Sequence, residues 1–210
     1  MDTAGHWDSV YGLKGDAEVS WTEAEPTTSL ALISEVSSPR SAMPAKGTRV
    51  IDVGGGTSRL AGRLVDAGYT VTVLDVSAAA IARAREQLGN RAGEVRWIIT
   101  DVTGNPDLGG AFDVWHDRAV FHFLTEPHAR AAYAALAAKS LARGGHAIIA
   151  TFAPDGPERC SGLPVCRYDG PALAAQFADA GFTLVKSIPQ MHVTPWGTPQ
   201  SFQYSVLRRP

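Results

Sequence analysis

The feature that most constrains the fold of this chain is an alternation that begins at Thr48. Short runs rich in β-branched residues alternate with alanine-rich runs, a pattern that predicts βαβ units and a parallel sheet. Each predicted strand is apolar almost throughout, as expected for strands that helices cover on both faces. We therefore predict an α/β fold, doubly wound, with a mostly parallel seven-stranded sheet.

The predicted elements follow from the same alternation. Five parallel strands are expected over 49–53, 70–75, 95–100, 113–117 and 146–152. Helical runs over 58–68, 77–89 and 128–145 each end in glycine, which commonly closes a helix. A further helix is predicted over 171–180. Two last strands, 182–187 and 201–209, fit an antiparallel hairpin at the C-terminal edge.

Composition limits the partners of the chain. A length of 210 residues fits one domain, and no apolar stretch approaches the roughly 20 residues of a membrane span. A net charge of -2 argues against a broad nucleic-acid surface. The N-terminus does not read as a secretory signal, which predicts a cytoplasmic protein.

The two cysteines, Cys160 and Cys166, are expected to be reduced thiols in such a compartment. Their spacing misses the C-x-x-C pattern of redox and zinc sites. Binding of a soft metalloid such as arsenite was the lesser alternative, and we predict no metal site.

The strongest chemical signal is the run IDVGGGTSRLAGRL, in which Asp52 precedes the glycine turn Gly54–Gly56. Glycines let a backbone approach a ligand where a Cβ would collide. A dinucleotide fingerprint would need a small residue where Arg59 stands, which disfavours that rival. A tight turn without a ligand is the plain alternative.

Two acidic residues close the next two predicted strands. Asp75 follows Gly56 by 19 positions, where doubly wound folds place a carboxylate for ribose hydroxyls, although it could instead cap the next helix. Asp101 can accept a hydrogen bond from an adenine amino group, and Val102 offers its backbone N–H. Ligands of open α/β sheets bind outside the carboxyl ends of strands, so these signals share one cause.

These motifs, with FDVW at Phe112 and LARGGHAI before the fifth strand, resemble class I S-adenosylmethionine-dependent methyltransferases, which are Rossmann-like, from about Thr48 to Phe152. The resemblance implies S-adenosylmethionine as the cofactor, with the glycine turn at its methionine portion. It also implies a division into an N-terminal arm (1–47), a cofactor-binding core (48–152), and a substrate loop with closing strands (153–210). The cofactor-binding residues expected are Trp7, Tyr11, Trp21, Asp52, Gly54, Gly55, Gly56, Ser58, Asp75, Val76, Asp101, Val102 and His116.

A narrower resemblance to the thiopurine S-methyltransferase-like branch rests on HWDSVYGLKGDAEVSW and on FDVWHDRAVFHFL. It implies that Trp7, Tyr11 and Trp21 belong to a segment covering the cofactor, and that Arg118 faces the substrate. Hydrophobic packing of the arm would explain the tryptophans equally well.

The end of the fourth strand carries the candidate catalytic residues Asp117, Arg118 and His122. Arg118 would bind an anionic group and His122 would accept a proton. A structural Asp117–Arg118 ion pair and a packed core histidine are the alternatives. Substrate contacts are expected from residues of this strand end and of two later loops: Arg118, Cys160, Arg167, His192 and Trp196.

The leading hypothesis is a methyltransferase for a small-molecule nucleophile, such as a thiol or another chalcogen. A protein-lysine methyltransferase, which would have a protein substrate, is the main rival. A non-catalytic cofactor-binding regulator and a nicotinamide-dependent oxidoreductase are alternatives from other classes.

Overall fold

The computed structural model describes residues 3–37 and 47–210, so most of the turn-rich stretch 37–47 lies outside the described residues. Its seven-stranded sheet has the order β3-β2-β1-β4-β5-β9-β8. The strands are β1 (Arg49–Val53), β2 (Thr70–Asp75), β3 (Val95–Ile99), β4 (Phe112–Arg118), β5 (Leu141–Phe152), β8 (Thr183–Val193) and β9 (Pro199–Arg208). The first five are parallel, and β9 is antiparallel to both β5 and β8. The predicted fold class is confirmed.

Helices cover both faces of this sheet. They are α1 (Thr3–Leu13), α2 (Thr27–Ser37), α3 (Leu60–Asp66), α4 (Ala78–Leu88), α5 (Pro127–Ser140) and α6 (Gly170–Phe177), and a small ladder joins β6 (Arg159–Cys160) to β7 (Leu163–Pro164). One apolar core lies between the sheet and α5 and α6, and a second lies between the sheet and α2, α3 and α4. The central strands β1, β2, β4 and β5 are therefore buried on both faces over most of their length, which explains their apolar runs, whereas the edge strands β3 and β8 are largely exposed or half-buried.

The predicted end of the fifth helix was wrong. The run 128–145 was expected to stay helical up to its glycines, but α5 ends at Ser140 and β5 begins at Leu141, which pairs with Phe112. Gly145 instead lies within β5, at a position that favours glycine. A Cβ there would lie 2.9 Å from the Ala142 carbonyl oxygen and 3.0 Å from that of Asp113. Sheet pairing thus overrides the local helical preference.

The closing hairpin is longer than predicted. β8 continues to Val193, and the chain reverses over 194–198, where the Thr198 N–H donates to Thr194 Oγ1 at 2.9 Å. The segment around Trp196 is thus a plain hairpin turn and does not fold over the end of the parallel strands. Within residues 3–37 and 47–210, no helix has the length and apolar character that crossing a bilayer requires.

The sheet reverses its winding direction at β1, which pairs with β2 on one side and β4 on the other. Beside this point, Asp117, the last residue but one of β4, is a buried hydrogen-bond acceptor. It takes hydrogen bonds from the N–H groups of Val120 (2.8 Å) and Phe121 (3.0 Å) and from the Tyr133 hydroxyl. Trp115 Nε1 in turn donates to Tyr133 Oη at 2.8 Å. The network fixes the chain just after β4.

Replacing Tyr133 with Phe should therefore destabilise the protein. The change removes the donor to Asp117 and the acceptor for Trp115, and a lost hydrogen bond to a buried charged group costs roughly 1.5–3 kcal/mol. Urea denaturation at pH 7 measures the free energy of unfolding. A variant with an unchanged unfolding midpoint would show that the network contributes nothing to stability.

Candidate functional site

The glycine turn after β1 needs its glycines for steric reasons. Gly54 has φ +66° and Gly56 has φ +48°, in the left-handed region that side chains disfavour. A Cβ at Gly54 would collide with Val120, and one at Gly55 would lie 2.7 Å from the Asp52 carboxylate. The turn is therefore packed on one side by protein, with its backbone exposed to a cleft on the other.

Asp75 binds this turn to the end of β2. Its Oδ2 accepts from the Gly56 N–H at 2.9 Å and its Oδ1 from the Ser77 N–H at 2.8 Å. Burial raises the pKa of this carboxyl to about 6. The side chain that caps α4 is Ser77, which accepts from the Ala80 N–H. The helix-capping alternative for Asp75 was therefore wrong.

Asp101 follows β3, one strand farther along, two residues after the strand ends at Ile99. Its Oδ1 accepts from the Thr103 N–H at 2.8 Å and from Thr103 Oγ1 at 2.7 Å. The side chain is exposed, whereas the adjacent Val102 is buried. The structure therefore brings Asp75 and Asp101 together at one sheet edge, as the sequence predicted.

A cleft with two lobes lies over these strand ends. The first lobe runs from the acidic strand ends to an aromatic end, and its lining includes Trp7, Tyr11, Trp21, Gly54, Asp75, Val76, Asp101, Val102, Arg118, Phe123, Leu124 and Cys160. The second lobe lies beside the glycine turn, and its lining includes Tyr11, Trp21, Glu23, Ser29, Asp52, Gly54, Gly55, Ser58, His116 and Arg118. Four residues, Tyr11, Trp21, Gly54 and Arg118, line both lobes.

The N-terminal segment, residues 3–26, covers the cleft with aromatic rings. The Trp7 ring contacts that of Phe123 with centroids 5.1 Å apart and that of Trp21 at 5.7 Å. Tyr11 is buried. The hydrophobic packing expected as an alternative and the covering of the cleft thus occur together, since the same rings do both.

Polar contacts to α4 hold this segment in place. Asp8 Oδ1 accepts from Ser77 Oγ at 2.7 Å and from the Ala79 N–H at 3.0 Å, which lowers the pKa of Asp8. Arg83 donates to the carbonyl oxygens of Tyr11 (2.9 Å) and Lys14 (2.6 Å). The covering segment is therefore fastened at the start of α4, next to Asp75.

A buried hydrogen-bond chain backs the second lobe. His116 Nδ1 lies 2.7 Å from Asp52 Oδ1, and its Nε2 lies 2.9 Å from Ser29 Oγ. All three side chains are buried. Both ring nitrogens of His116 are thus engaged, and the chain holds the Asp52 carboxylate beside the glycine turn.

Arg118 pairs with a residue that the sequence did not single out. Its Nη1 donates to the Trp21 carbonyl oxygen at 2.7 Å, and its Nη2 lies 3.1 Å from Glu23 Oε1, close enough for an ion pair but not aligned as a hydrogen bond. The Asp117–Arg118 pair considered from the sequence was wrong, because neighbouring strand residues point to opposite faces. Asp117 lines neither lobe, so its predicted catalytic role has no geometric support.

His122, considered for catalysis, and His192, considered for substrate binding, do not line the cleft. His122 is fully buried, packs against Phe123 (4.4 Å) and Phe152 (4.9 Å), and has its pKa lowered to about 3 by burial and by Arg118. This arrangement corresponds to the packed core histidine. His192 Nε2 lies 2.5 Å from the Ser20 carbonyl oxygen and binds the covering segment.

Of the substrate residues expected on the later loops, some line the cleft and others do not. Cys160 lines the first lobe, and burial raises its pKa to about 11, so it stays a thiol. Arg167 pairs with Glu158 outside both lobes, and Trp196 is 56% exposed at the hairpin turn. Both cysteines are free thiols, and the described residues contain no metal-binding cluster. Glu23 and Ser29 were missed because they belong to no motif.

Comparison with known proteins agrees with this geometry. Residues 50–145 match the family model of a methyltransferase domain. A structure reported for the conversion of a disulfide bond into a thioacetal group during echinomycin biosynthesis superposes with a TM-score of 0.79, 21% identity, and coverage of 99% of this chain and 93% of that chain. No curated protein matches the sequence.

Two further neighbours were solved with S-adenosylhomocysteine. The 1,6-didemethyltoxoflavin-N1-methyltransferase of Burkholderia thailandensis is 25% identical over 78% of this chain and 72% of that chain, with a TM-score of 0.62. The N-methyltransferase NodS of Bradyrhizobium japonicum is 16% identical over 94% of each chain, with a TM-score of 0.70. The fold is the class I Rossmann-like one, and the methyltransferase-domain match over residues 50–145, together with the neighbours solved with S-adenosylhomocysteine, supports an S-adenosylmethionine-dependent methyltransferase.

The pH dependence of cofactor binding should report the ionisation of Asp75. Its ionised form accepts hydrogen bonds, and its pKa is raised to about 6, so affinity for S-adenosylhomocysteine should be constant above pH 7 and fall as the pH drops below about 6. Asp75→Asn should weaken binding roughly 10- to 100-fold at pH 7.5 and abolish this inflection. Titration calorimetry measures both effects.

Asp66→Asn is the matched control, since this carboxylate forms a surface ion pair with Arg91. It should bind like the parent protein at every pH. A normal affinity in the Asp75 variant would remove Asp75 from the cofactor site.

Asp8→Asn should loosen the covering segment. The amide is a weaker acceptor for the two donors at the start of α4, so S-adenosylhomocysteine should dissociate about tenfold faster. Because Trp7 and Trp21 line the cleft, stopped-flow tryptophan fluorescence follows the release. An unchanged rate would mean that this contact does not govern release.

Proposed function

We propose that this protein methylates a sulfur nucleophile of a small molecule, a thiol or a related chalcogen compound. The observation that carries the proposal is the lack of a base at the aromatic end of the first lobe. Among the described residues there, the titratable ones are Arg118, Cys160 and Tyr11, and burial raises the pKa of the Tyr11 hydroxyl, which therefore stays protonated. Arginine stays protonated at neutral pH, and so does a thiol with a pKa of about 11.

Nearby histidines do not fill this gap. His116 is bound through both nitrogens, and His122 is fully buried with a pKa of about 3. His6 packs on Trp7, with ring centroids 5.2 Å apart, but lines neither lobe. A thiol with a pKa near 8.5 supplies its own thiolate, whereas a lysine amine near 10.4 has to lose a proton first. A site without a base therefore favours sulfur over amine acceptors.

The residues of the cleft fit S-adenosylmethionine, whose sulfonium supplies an activated methyl group. Asp75 would hold the ribose, while Asp101 and the Val102 N–H would hold the adenine. The glycine turn, Ser58 and Asp52 would face the methionine portion. The chain's own task is then to align the acceptor with the methyl group and to exclude water under the covering segment.

One comparison supports a sulfur acceptor, and a second, with an N1-methyltransferase, supports only an acceptor that is small. The echinomycin study concerns chemistry at a disulfide bond, and the toxoflavin enzyme was solved with a small molecule bound. The resemblance to the thiopurine-like branch points to the same chemistry. An acceptor bound beneath Trp7 and Trp21 also suits a small molecule better than a lysine on a folded protein.

The test is methyl transfer from labelled cofactor to matched acceptors. An aryl thiol and an alkyl thiol should be methylated at least 100-fold faster than amines of similar size. Because each thiol ionises by itself, the inflection of kcat/KM with pH should move with the pKa of the thiol used. An inflection at the same pH for both thiols would reveal an enzymatic base and contradict the proposal.

A cell lysate serves as the competing substrate. Label found only on a protein band would instead support protein-lysine methylation. Cofactor binding without transfer to any thiol, amine or lysate component would support a non-catalytic regulator.

A further inference from the structure

We infer that Glu23 shifts the ligand preference of the protein towards S-adenosylmethionine and away from S-adenosylhomocysteine, because it neutralises Arg118 at the place where the cofactor sulfur lies. The inference concerns the cofactor and holds for any methyl acceptor. It rests on a buried ion pair at the boundary between the two lobes of the cleft.

The ion pair is well shielded from water. The Arg118 side chain is 11% exposed and that of Glu23 is 14% exposed, and the guanidinium also stacks on the Phe202 ring at 4.8 Å. Arg118 Nε and Nη2 make no hydrogen bond within the described chain. At such burial, each charge acts strongly on its neighbours.

The cofactor sulfur has to lie close to this pair. The nucleoside belongs in the first lobe, with Asp75 and Asp101, and the amino-acid tail belongs in the second lobe, beside the glycine turn and Asp52. The sulfur joins these two portions, so it passes the boundary between the lobes. Arg118 is one of the four residues that line both.

An unpaired guanidinium at this boundary would repel the sulfonium. Repulsion between two like charges roughly 7 Å apart, at an effective dielectric constant near 20, would weaken the binding of a charged ligand more than tenfold. Glu23 removes this repulsion. His192 Nδ1 lies 3.7 Å from Glu23 Oε1, but burial and Arg118 lower the pKa of His192, so it adds no charge at neutral pH.

The reaction changes the charge at this point. As the methyl carbon bonds to the acceptor, its bond to the cofactor sulfur breaks, and the electron pair stays on that sulfur. The sulfonium becomes a neutral thioether. The affinity for S-adenosylhomocysteine therefore does not depend on the sign of the charge beside its sulfur. A net charge at Arg118 changes the affinity for S-adenosylmethionine and so alters the ratio of the two affinities.

The experiment measures the dissociation constants of both ligands by calorimetry at pH 7.5 in four proteins. In Glu23→Gln, the ratio of the S-adenosylmethionine constant to the S-adenosylhomocysteine constant should rise tenfold or more. Glu23→Asp keeps the charge and should keep the parent ratio. Glu25→Gln makes the same charge change two residues away, at an exposed pair with Arg63, and should also keep it.

Equal weakening of both ligands in Glu23→Gln would show a purely structural role and overturn the inference, as would an unchanged ratio. If that variant fails to fold, Arg118→Met decides instead. With Glu23 left uncompensated, the ratio should fall below the parent value. A ratio at or above the parent value would also overturn the inference.

Discussion

The cleft depends on one hydrogen bond, which the Gly56 N–H donates to the Asp75 carboxylate. This bond ties the turn after β1 to the end of β2 and brings the two strand ends into one site. The left-handed backbone of Gly54 and Gly56 makes the contact possible, because any side chain would strain the turn. Ser77 then begins α4 at the point where the N-terminal segment is fastened.

The sequence predicts this part of the site because it depends on local chemistry. A glycine turn after the first strand and a carboxylate at the end of the second are a common means by which doubly wound α/β sheets bind a nucleoside. The apolar strands were equally predictable from the sequence, because burial on both faces leaves a continuous run of apolar residues. Among the predicted elements only strand and helix ends moved, as at Leu141, where sheet pairing overrides helical preference. The helices α1 and α2 and the β6–β7 ladder were not predicted.

The remaining site residues depend on contacts between distant segments. Glu23 reaches Arg118 only after the N-terminal segment packs over the sheet, and Ser29 reaches His116 only after α2 packs against β4. The adjacency of Asp117 and Arg118 in sequence was misleading, because strand geometry sends them to opposite faces. Arg167 and Trp196 lie on loops whose direction no local pattern fixes.

The electrostatics of the cleft are consistent with the proposed chemistry. Carboxylates lie at the nucleoside end, a neutralised arginine lies at the lobe boundary, and the aromatic end carries no base among the described residues. Such a site aligns and desolvates a nucleophile without needing to ionise it.

A crystal structure with bound S-adenosylhomocysteine tests the account most directly. The account predicts ribose hydroxyls on Asp75, adenine beside Asp101 and Val102, and the sulfur between Trp21 and Arg118. A nucleoside found instead in the cavity between α3 and α4, which Arg63 and Trp97 line, would contradict it.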